Sequence, residues 1–340
     1  MGGWNLGILR ACGVALGILG WATAASAQFT AASLSDDDIT QAIALLIEET
    51  MEDWDPQTHW DPPTPKYDHS PRGQTPLTIL GLLHAGMKCQ DPRLQPSVQW
   101  MLTAQLKNTY PVACRAQALG WMPESTRPAL EQDIRWLLRS FGNEAACWGY
   151  RAQPNTKRVD NSLRQYGALA LWAGEERGVQ VPRAVWAALE DRLLREQRTD
   201  GGWGYTATDA PRSSMTLAAL TILAIAQDWL HSESAVRGNR GALERNQDAL
   251  QRGLDWVDRY FDPKSNPSVE EGDVRDHGWW WYHAYCVERV ALATGRHRFG
   301  AHDWYRTIAA RMLELKFQRK DAKLVRNRHP LNAIDRAFAL

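Results

Sequence analysis

The chain has 340 residues, with 39 basic and 39 acidic side chains, so its formal net charge at neutral pH is zero. Hydrophobic residues make up 44% and charged residues 23%, which excludes a disordered chain and fits a globular one. Because proteins that neutralise many phosphates carry a basic surplus, a nucleic-acid partner is not expected. Tryptophan occurs 17 times, which predicts a repeated structural role or an aromatic binding surface.

Residues 1–27 have the pattern of a secretory signal peptide. Arg10 precedes an apolar run over 11–25, and Ala25-Ser26-Ala27 forms a cleavage site before Gln28. We therefore predict an exported protein, periplasmic or secreted, cleaved near Ala27 and Gln28; an uncleaved anchor helix is the alternative. No later apolar run reaches the roughly 18–20 residues of a membrane span, so no transmembrane span is expected after signal removal.

Residues 28–72 are predicted to form a lead-in to the main domain. Ser35 followed by Asp36, Asp37 and Asp38 indicates a helix start, because a serine cap and acidic residues suit a helix N-terminus. The proline-rich stretch 54–72 predicts an irregular loop. We assign 73–330 to one repeat domain, and 331–340 to the start of a further, truncated helix.

Two kinds of helix are predicted along the repeat domain. The segment 183–197 is amphipathic, whereas 163–173 and 215–226 are apolar on nearly all sides and should be buried all round. Their alternation predicts an all-α fold in two layers, with the apolar helices inside. Strand patterns are nearly absent, and the polar stretches between helices are expected to be loops, namely 154–160, 206–213 and 262–277.

A glycine-containing aromatic turn followed by an apolar helix recurs along the chain. It occurs at 147–150, at 201–205 and at 278–282, and more weakly at 73–86. Repeats of a few tens of residues are typical of helical arrays, and the mature length allows about five or six helix pairs. The rings of these turns are the candidates for a ligand-binding surface: Trp148, Tyr150, Tyr205, Trp279, Trp280, Trp281 and Tyr282.

The segment Gln197-Arg-Thr-Asp-Gly-Gly-Trp203 resembles the Gln-Trp repeat of squalene and other terpene cyclases. Gln197, Gly201 and Trp203 match the motif, and degraded copies of its front half begin at Trp100, Trp136 and Trp256. The likeness extends over most of 75–295. It implies the (α/α) toroid of the squalene cyclase and protein prenyltransferase superfamily, in which Gln197, Gly201 and Trp203 would join neighbouring helices.

The residues that carry the chemistry of these families are missing or altered. Squalene-type cyclases use an Asp-x-Asp-Asp cluster as acid, and this chain has none. The segment from Tyr282 to Cys286 resembles the histidine-bearing part of the prenyltransferase zinc site, but Ser162 replaces the cysteine beside Asp160. A hydroxyl is a poor zinc ligand beside a thiolate, so neither a metal nor another cofactor is expected. Asp160 also suits a helix N-cap.

Acidic residues before the last aromatic turn form a further candidate. Glu270, Glu271, Asp273 and Asp276 precede three tryptophans, an arrangement that could bind a cation, hold a sugar or supply an acid and a base. A solvated acidic loop is the alternative. If the protein is an enzyme, the candidate catalytic residues are Asp160, His283 and Asp276.

Three functions remain open from the sequence. The first is an exported binding or scaffold module for an apolar, isoprenoid-like ligand or a protein partner. The second is a divergent terpene cyclase or transferase, and the third is a polysaccharide lyase or hydrolase with a tryptophan-lined cleft. Four widely spaced cysteines of the mature chain form no metal-binding pair and are expected to be free thiols: Cys89, Cys114, Cys147 and Cys286.

Overall fold

The computed structural model describes residues 29–62, 72–156, 160–232, 240–320, 323–326 and 337–339. The predicted signal peptide and most of the predicted final helix lie outside these residues. Within them the chain is mostly helical, which confirms the all-α class. All four cysteines of the mature chain are free, as expected.

The described residues include eleven helices of nine residues or more. Their bounds are α1 Asp36–Glu52, α2 Gln74–His84, α3 Gln95–Thr103, α4 Thr109–Gly120, α5 Arg127–Ser140, α6 Asn161–Glu176, α7 Arg183–Glu196, α8 Ser213–His231, α9 Arg240–Tyr260, α10 Trp280–Thr294 and α11 Trp304–Lys316. A 3-10 turn, Glu124–Thr126, precedes α5. The predicted helices 183–197, 163–173 and 215–226 correspond to α7, α6 and α8.

The described residues contain four two-stranded antiparallel hairpins, three of which join consecutive helices. They pair β1 Phe141–Gly142 with β2 Cys147–Trp148, β3 Pro267–Glu270 with β4 Asp273–Asp276, β5 Arg298–Phe299 with β6 His302–Asp303, and β7 Phe317–Lys320 with β8 Lys323–Arg326. The expectation that 262–277 is a plain loop was therefore wrong. Each strand has four residues with a single valine, too few to show the alternating apolar pattern that marks a strand in sequence; β3 buries Pro267, Ser268 and Val269, and β4 is exposed.

Even-numbered and odd-numbered helices occupy different positions. The apolar helices pack in chain order, α2 on α4, α4 on α6, α6 on α8 and α8 on α10, while the amphipathic α5, α7 and α9 lie against them. Nearly every residue of α8 is buried, whereas α9 buries a single stripe. The predicted alternation of buried and amphipathic helices is present.

The two ends of the described chain meet. Leu34, just before α1, packs on Ala310 and Leu313 of α11. Arg306 of α11 bonds the Leu34 carbonyl and lies 2.8 Å from an Asp36 carboxylate oxygen. The predicted lead-in helix is thus joined to the far end of the repeat domain. It begins with the expected cap, since the Ser35 side chain accepts from the Asp38 amide and Asp38 bonds back.

A short helical turn at residues 337–339 contacts the first and the last apolar helix. A Cβ atom at Gly81 of α2 would lie 2.6 Å from the Ala337 carbonyl oxygen, so only glycine permits this approach. The Phe338 ring lies 6.1 Å from the Tyr282 ring and 5.4 Å from the Tyr285 ring, both in α10. This turn therefore fills the space between α2 and α10.

The residues of the Gln-Trp segment bond neighbouring elements. Gln197 Nε2 donates to the carbonyl oxygens of Gly201 and of Ala249 in α9, both at 2.9 Å. Gly201 has φ +98°, and a Cβ there would lie 2.4 Å from the Arg252 carbonyl oxygen. Trp203 Nε1 donates to the Leu193 carbonyl of α7 at 2.9 Å. The segment therefore has a structural role, since it joins α7 to α9.

Two buried arginines also join the helix layers. Arg115 of α4 pairs with Asp133 of α5 at 2.6 Å, and Arg164 of α6 pairs with Glu196 of α7. Arg164 also donates to the carbonyl oxygens of Ala145 and Ala146. Because both cations have carboxylate and carbonyl partners, they are satisfied structural groups.

Among the residues described, helix Ser213–His231 is long and apolar enough to cross a membrane. Its apolar stretch is 83% buried inside the protein, as in a core helix. The absence of a transmembrane span in the mature chain stays a prediction.

Candidate functional site

Aromatic and polar side chains gather where α4, α6 and α8 begin. Tyr110, Tyr150, Tyr205 and Arg212 are half-buried there, and Asp160 and Ser162 are buried beside them. We call this group the mouth; its members are Tyr110, Tyr150, Asp160, Ser162, Tyr205 and Arg212. It contains three residues that the sequence singled out as candidate site residues: Tyr150, Asp160 and Tyr205.

Two of the aromatic turns, at 147–150 and 201–205, lie over the start of the apolar helix one repeat earlier. The Tyr150 carbonyl accepts from the amide of Thr109, the first residue of α4, at 2.9 Å. The Tyr205 carbonyl accepts in the same way from Asn161, the first residue of α6, at 3.1 Å. These bonds satisfy amides that a helix leaves without an internal partner, and they bring rings from successive repeats together.

A hydrogen-bonded chain runs from the capping residue of α6 to Tyr110. Asp160 Oδ1 accepts from the Ser162 amide at 3.0 Å and from Ser162 Oγ at 2.5 Å, which confirms that Asp160 is an N-cap. Ser162 Oγ lies 2.7 Å from the phenolic oxygen of Tyr110. The three side chains form one connected unit at the edge of the mouth.

The space beneath the mouth is filled by stacked tyrosines. The Tyr110 ring meets Tyr166 edge-on at 5.0 Å, and Tyr166 stacks on Tyr282 and Tyr285, each at 6.2 Å. We call Tyr166, Tyr282 and Tyr285 the tyrosine column. All three are buried, and the last two are tied across the helix bundle, Tyr282 to Gln165 of α6 at 2.6 Å and Tyr285 to Gln117 of α4 at 3.2 Å.

Two phenols of the mouth, those of Tyr110 and Tyr205, stay protonated at neutral pH. Burial raises the pKa of Tyr110 well above its usual value, and the nearby Asp160 carboxylate adds to the effect. Burial, followed by the same carboxylate, also raises the pKa of Tyr205. The guanidinium of Arg212 lies 4.6 Å from the centre of the Tyr205 ring, and its Nε has no hydrogen-bond partner among the described residues. The mouth therefore presents one cation and two neutral phenols beside the Asp160 carboxylate.

The other two candidate catalytic residues lie elsewhere. His283 is fully buried, with Nε2 2.9 Å from Ser213 Oγ, and burial lowers its pKa to about 4. Asp276 is exposed, and its Oδ1 accepts from the amides of Asn266 and Gly278, both at 3.0 Å. Asp160 thus lies among tyrosines, His283 behind Ser213, and Asp276 at the end of a hairpin.

The predicted aromatic residues divide into three groups. Tyr150 and Tyr205 belong to the mouth, and Tyr282 lies in the column beneath it. Trp148 has no exposed surface and donates Nε1 to the Leu137 carbonyl at 2.9 Å, so its expected role in ligand contact is wrong. Trp279, Trp280 and Trp281 line the surface at the start of α10, with Trp279 60% exposed.

Sequence reasoning did not name two residues of the mouth, Tyr110 and Arg212, and named Ser162 only as the residue that replaces a cysteine. Tyr110 is the second residue of α4, the position that Ser162 occupies in α6, and Arg212 is the residue before α8. An alignment of the first residues of the apolar helices would have identified both positions, because the mouth forms where those helices begin.

The donor set of the mouth does not resemble a metal site. Ser162 Oγ is bonded to Asp160 and Tyr110. Within the described ranges no three His, Cys, Asp or Glu side chains are grouped so that they could hold a metal ion.

Comparison of the sequence with models of known protein families and with curated proteins finds no match.

Proposed function

We propose that this chain is an exported α/α toroid of the squalene cyclase and prenyltransferase kind that serves as a binding module without cyclase chemistry. The apolar helices packed in chain order support a ring. So do the contact between α1 and α11 and the turn at 337–339, which lies between α2 and α10. The bonds of Gln197 and Trp203 are those that the Gln-Trp resemblance implies.

The ligand lies at the mouth in this proposal. The observation that carries it is the convergence of three half-buried tyrosines with Asp160, Ser162 and Arg212. Partly exposed aromatic rings with a few fixed polar groups are the usual composition of a ligand site, because the rings supply contact area and the polar groups orientation.

The space between the apolar helices is less suited to a ligand than the mouth. An isoprenoid chain between the apolar helices would have to displace the tyrosine column and break its bonds to Gln165 and Gln117. Asp160 accepts hydrogen bonds from Ser162, whereas alkene protonation requires a carboxylic acid that donates. Both points favour binding over cyclisation.

Export is tested on the full-length chain. When it is expressed in a host with a secretory pathway, the protein should be recovered outside the cytoplasm. Its intact mass should be that of a chain whose first residue is Gln28. A cytoplasmic product that retains residues 1–27 would contradict this part of the proposal.

Binding is tested with the mature protein. It should be titrated with geranylgeranyl diphosphate, squalene and a set of oligosaccharides, following intrinsic fluorescence or heat. We expect Tyr205→Ala to lower the affinity for the ligand at least about tenfold. This corresponds to about 1.4 kcal/mol of binding free energy lost with the stacking and contact of the ring.

Trp121→Ala is the matched control for Tyr205→Ala. Trp121 is 51% exposed and follows the C-terminal end of α4, away from the helix starts that form the mouth. Its removal should leave affinity unchanged. If no ligand class binds, or if both substitutions weaken binding equally, the proposed site is wrong.

A further inference from the structure

The direction of the hydrogen bonds at the mouth fixes what Tyr110 offers to a ligand. A carboxylate only accepts, so the Ser162 hydroxyl donates its proton to Asp160. Ser162 Oγ can then only accept, and the Tyr110 hydroxyl must donate to it across 2.7 Å. A phenol has one proton, so the Tyr110 oxygen has only a lone pair left for the mouth.

A ligand atom that meets this oxygen must therefore donate a hydrogen bond. A hydrocarbon chain has no donor, and an ionised diphosphate has only acceptors, so either would leave the Tyr110 oxygen unpaired or repelled. An unpaired polar group in a buried contact carries a desolvation cost. Prenyl diphosphates and sterol precursors are poor matches at this position.

Arg212 has the opposite requirement. Its guanidinium only donates, so a ligand group that meets it must accept. It lies over the Tyr205 ring, which is half-buried, and Tyr150 lies 5.9 Å from Tyr110 between ring centres. Donor, acceptor and apolar faces are thus presented side by side.

We infer that the ligand of the mouth is an oligosaccharide. Each sugar hydroxyl both donates and accepts, so one ring can satisfy Tyr110 and Arg212, while its C–H face packs on Tyr150 or Tyr205. This inference rests on the proposed binding site and names the class of its ligand.

The inference is tested first by substitution of the acceptor. Mature protein is screened on an array of neutral and acidic oligosaccharides, and the strongest array hit is titrated beside geranylgeranyl diphosphate. Tyr110→Phe removes the oxygen but keeps the ring. We expect this substitution to lower the affinity for the oligosaccharide at least about tenfold.

Tyr285→Phe is the matched control. It removes the phenol bonded to Gln117 in the tyrosine column, where the Tyr166 ring lies between Tyr285 and Tyr110 of the mouth. We expect a small fall in melting temperature and no change in oligosaccharide affinity, which separates loss of the acceptor from general destabilisation.

Ser162→Ala tests the direction of the bonds. Without the serine, the Tyr110 hydroxyl has lost its acceptor and is free to donate to the ligand. The ratio of oligosaccharide affinity to geranylgeranyl diphosphate affinity should fall at least about tenfold. A ratio that stays unchanged in this folded variant would overturn the assignment of donor and acceptor.

The outcomes separate the inference from the proposal beneath it. If the array is blank and geranylgeranyl diphosphate or a peptide binds in a Tyr205-dependent manner, the mouth is the site but its ligand is not a saccharide. If oligosaccharide binding survives Tyr110→Phe, the inference also fails. If no ligand of any class binds, both the site and its ligand are wrong.

Discussion

Three tryptophans of the turns use their indole N–H in the same way. Trp60, Trp148 and Trp203 each donate to a carbonyl near the C-terminal end of an amphipathic helix, those of Thr50, Leu137 and Leu193, at 2.7 to 2.9 Å. Carbonyls in the last turn of a helix lack internal partners, so these bonds meet a need of both groups. Part of the abundance of tryptophan is thereby explained.

We predict that Trp203→Phe destabilises the fold by about 2 kcal/mol, because it removes a buried hydrogen bond and leaves a void. Equilibrium urea unfolding, followed by circular dichroism, gives the free energy. Trp121→Phe, at a half-exposed tryptophan, should change it by less than about 0.5 kcal/mol. A cost at Trp203 no larger than at Trp121 would mean that the indole bond is not stabilising.

His283 should make stability fall in acid. Its folded pKa of about 4 lies below the ordinary histidine value, because burial disfavours the charged ring more than Asp262 and Asp276 favour it. Between about pH 6.5 and pH 4 the unfolded chain binds a proton that the folded chain does not. Stability is therefore complete above about pH 6.5 and declines as the pH falls towards 4, by up to about 3 kcal/mol from this residue.

The measurement is urea unfolding at several pH values across that window. His283→Gln should flatten the decline, whereas His277→Gln, at an exposed position in the hairpin, should leave it unchanged. An equally steep decline in His283→Gln would assign the acid sensitivity to other groups.

At the scale of the elements, α6 packs closely on its aromatic turn because Gly167 has no side chain. A Cβ at Gly167 would lie 2.4 Å from the Trp148 ring, and one at Gly253 of α9 would lie 2.8 Å from the Trp203 ring. Each glycine lets a buried indole lie flat on a helix. Gly167 lies in the apolar α6 and Gly253 in the amphipathic α9, so the two contacts are not copies of one repeat position.

Gly167→Ala should cost about 1–3 kcal/mol, since the added methyl group overlaps a ring that has no space to move. Gly241→Ala is the control, because the nearest atom to its Cβ would be 3.8 Å away and alanine favours a helix. Thermal unfolding of both variants gives the comparison. Similar melting temperatures would show that the turn adapts to the methyl group.

On the scale of the whole molecule, the first and last described helices depend on each other. Leu34 is 5% exposed and packs on α11, more than 270 residues away in the chain. Leu34→Ala should therefore cost about 2 kcal/mol and loosen α11. Amide hydrogen exchange should rise in α1 and α11 and stay constant in α5; a rise confined to α1 would show that the ends are not coupled.

Local patterns in the sequence determined the helices and their burial. The apolar stretches 163–173 and 215–226 lie inside α6 and α8, and the amphipathic 183–197 forms α7, because a helix shows its environment in the spacing of its own side chains. Asp160 and Ser35 were identified as caps for the same reason. The short hairpin β3–β4 was not predicted, because strands of four residues with one valine each leave no recognisable pattern.

The composition of the mouth was decided only by the tertiary structure. Tyr150 and Tyr205 were identified from their turns, yet nothing in the turns indicates that each lies over the helix one repeat earlier. That step brings Tyr110 and Ser162, 52 residues apart, to within one hydrogen bond. Sequence periodicity reports which side of a helix is buried, whereas a site depends on which helix end each turn covers, and that is set by packing between repeats.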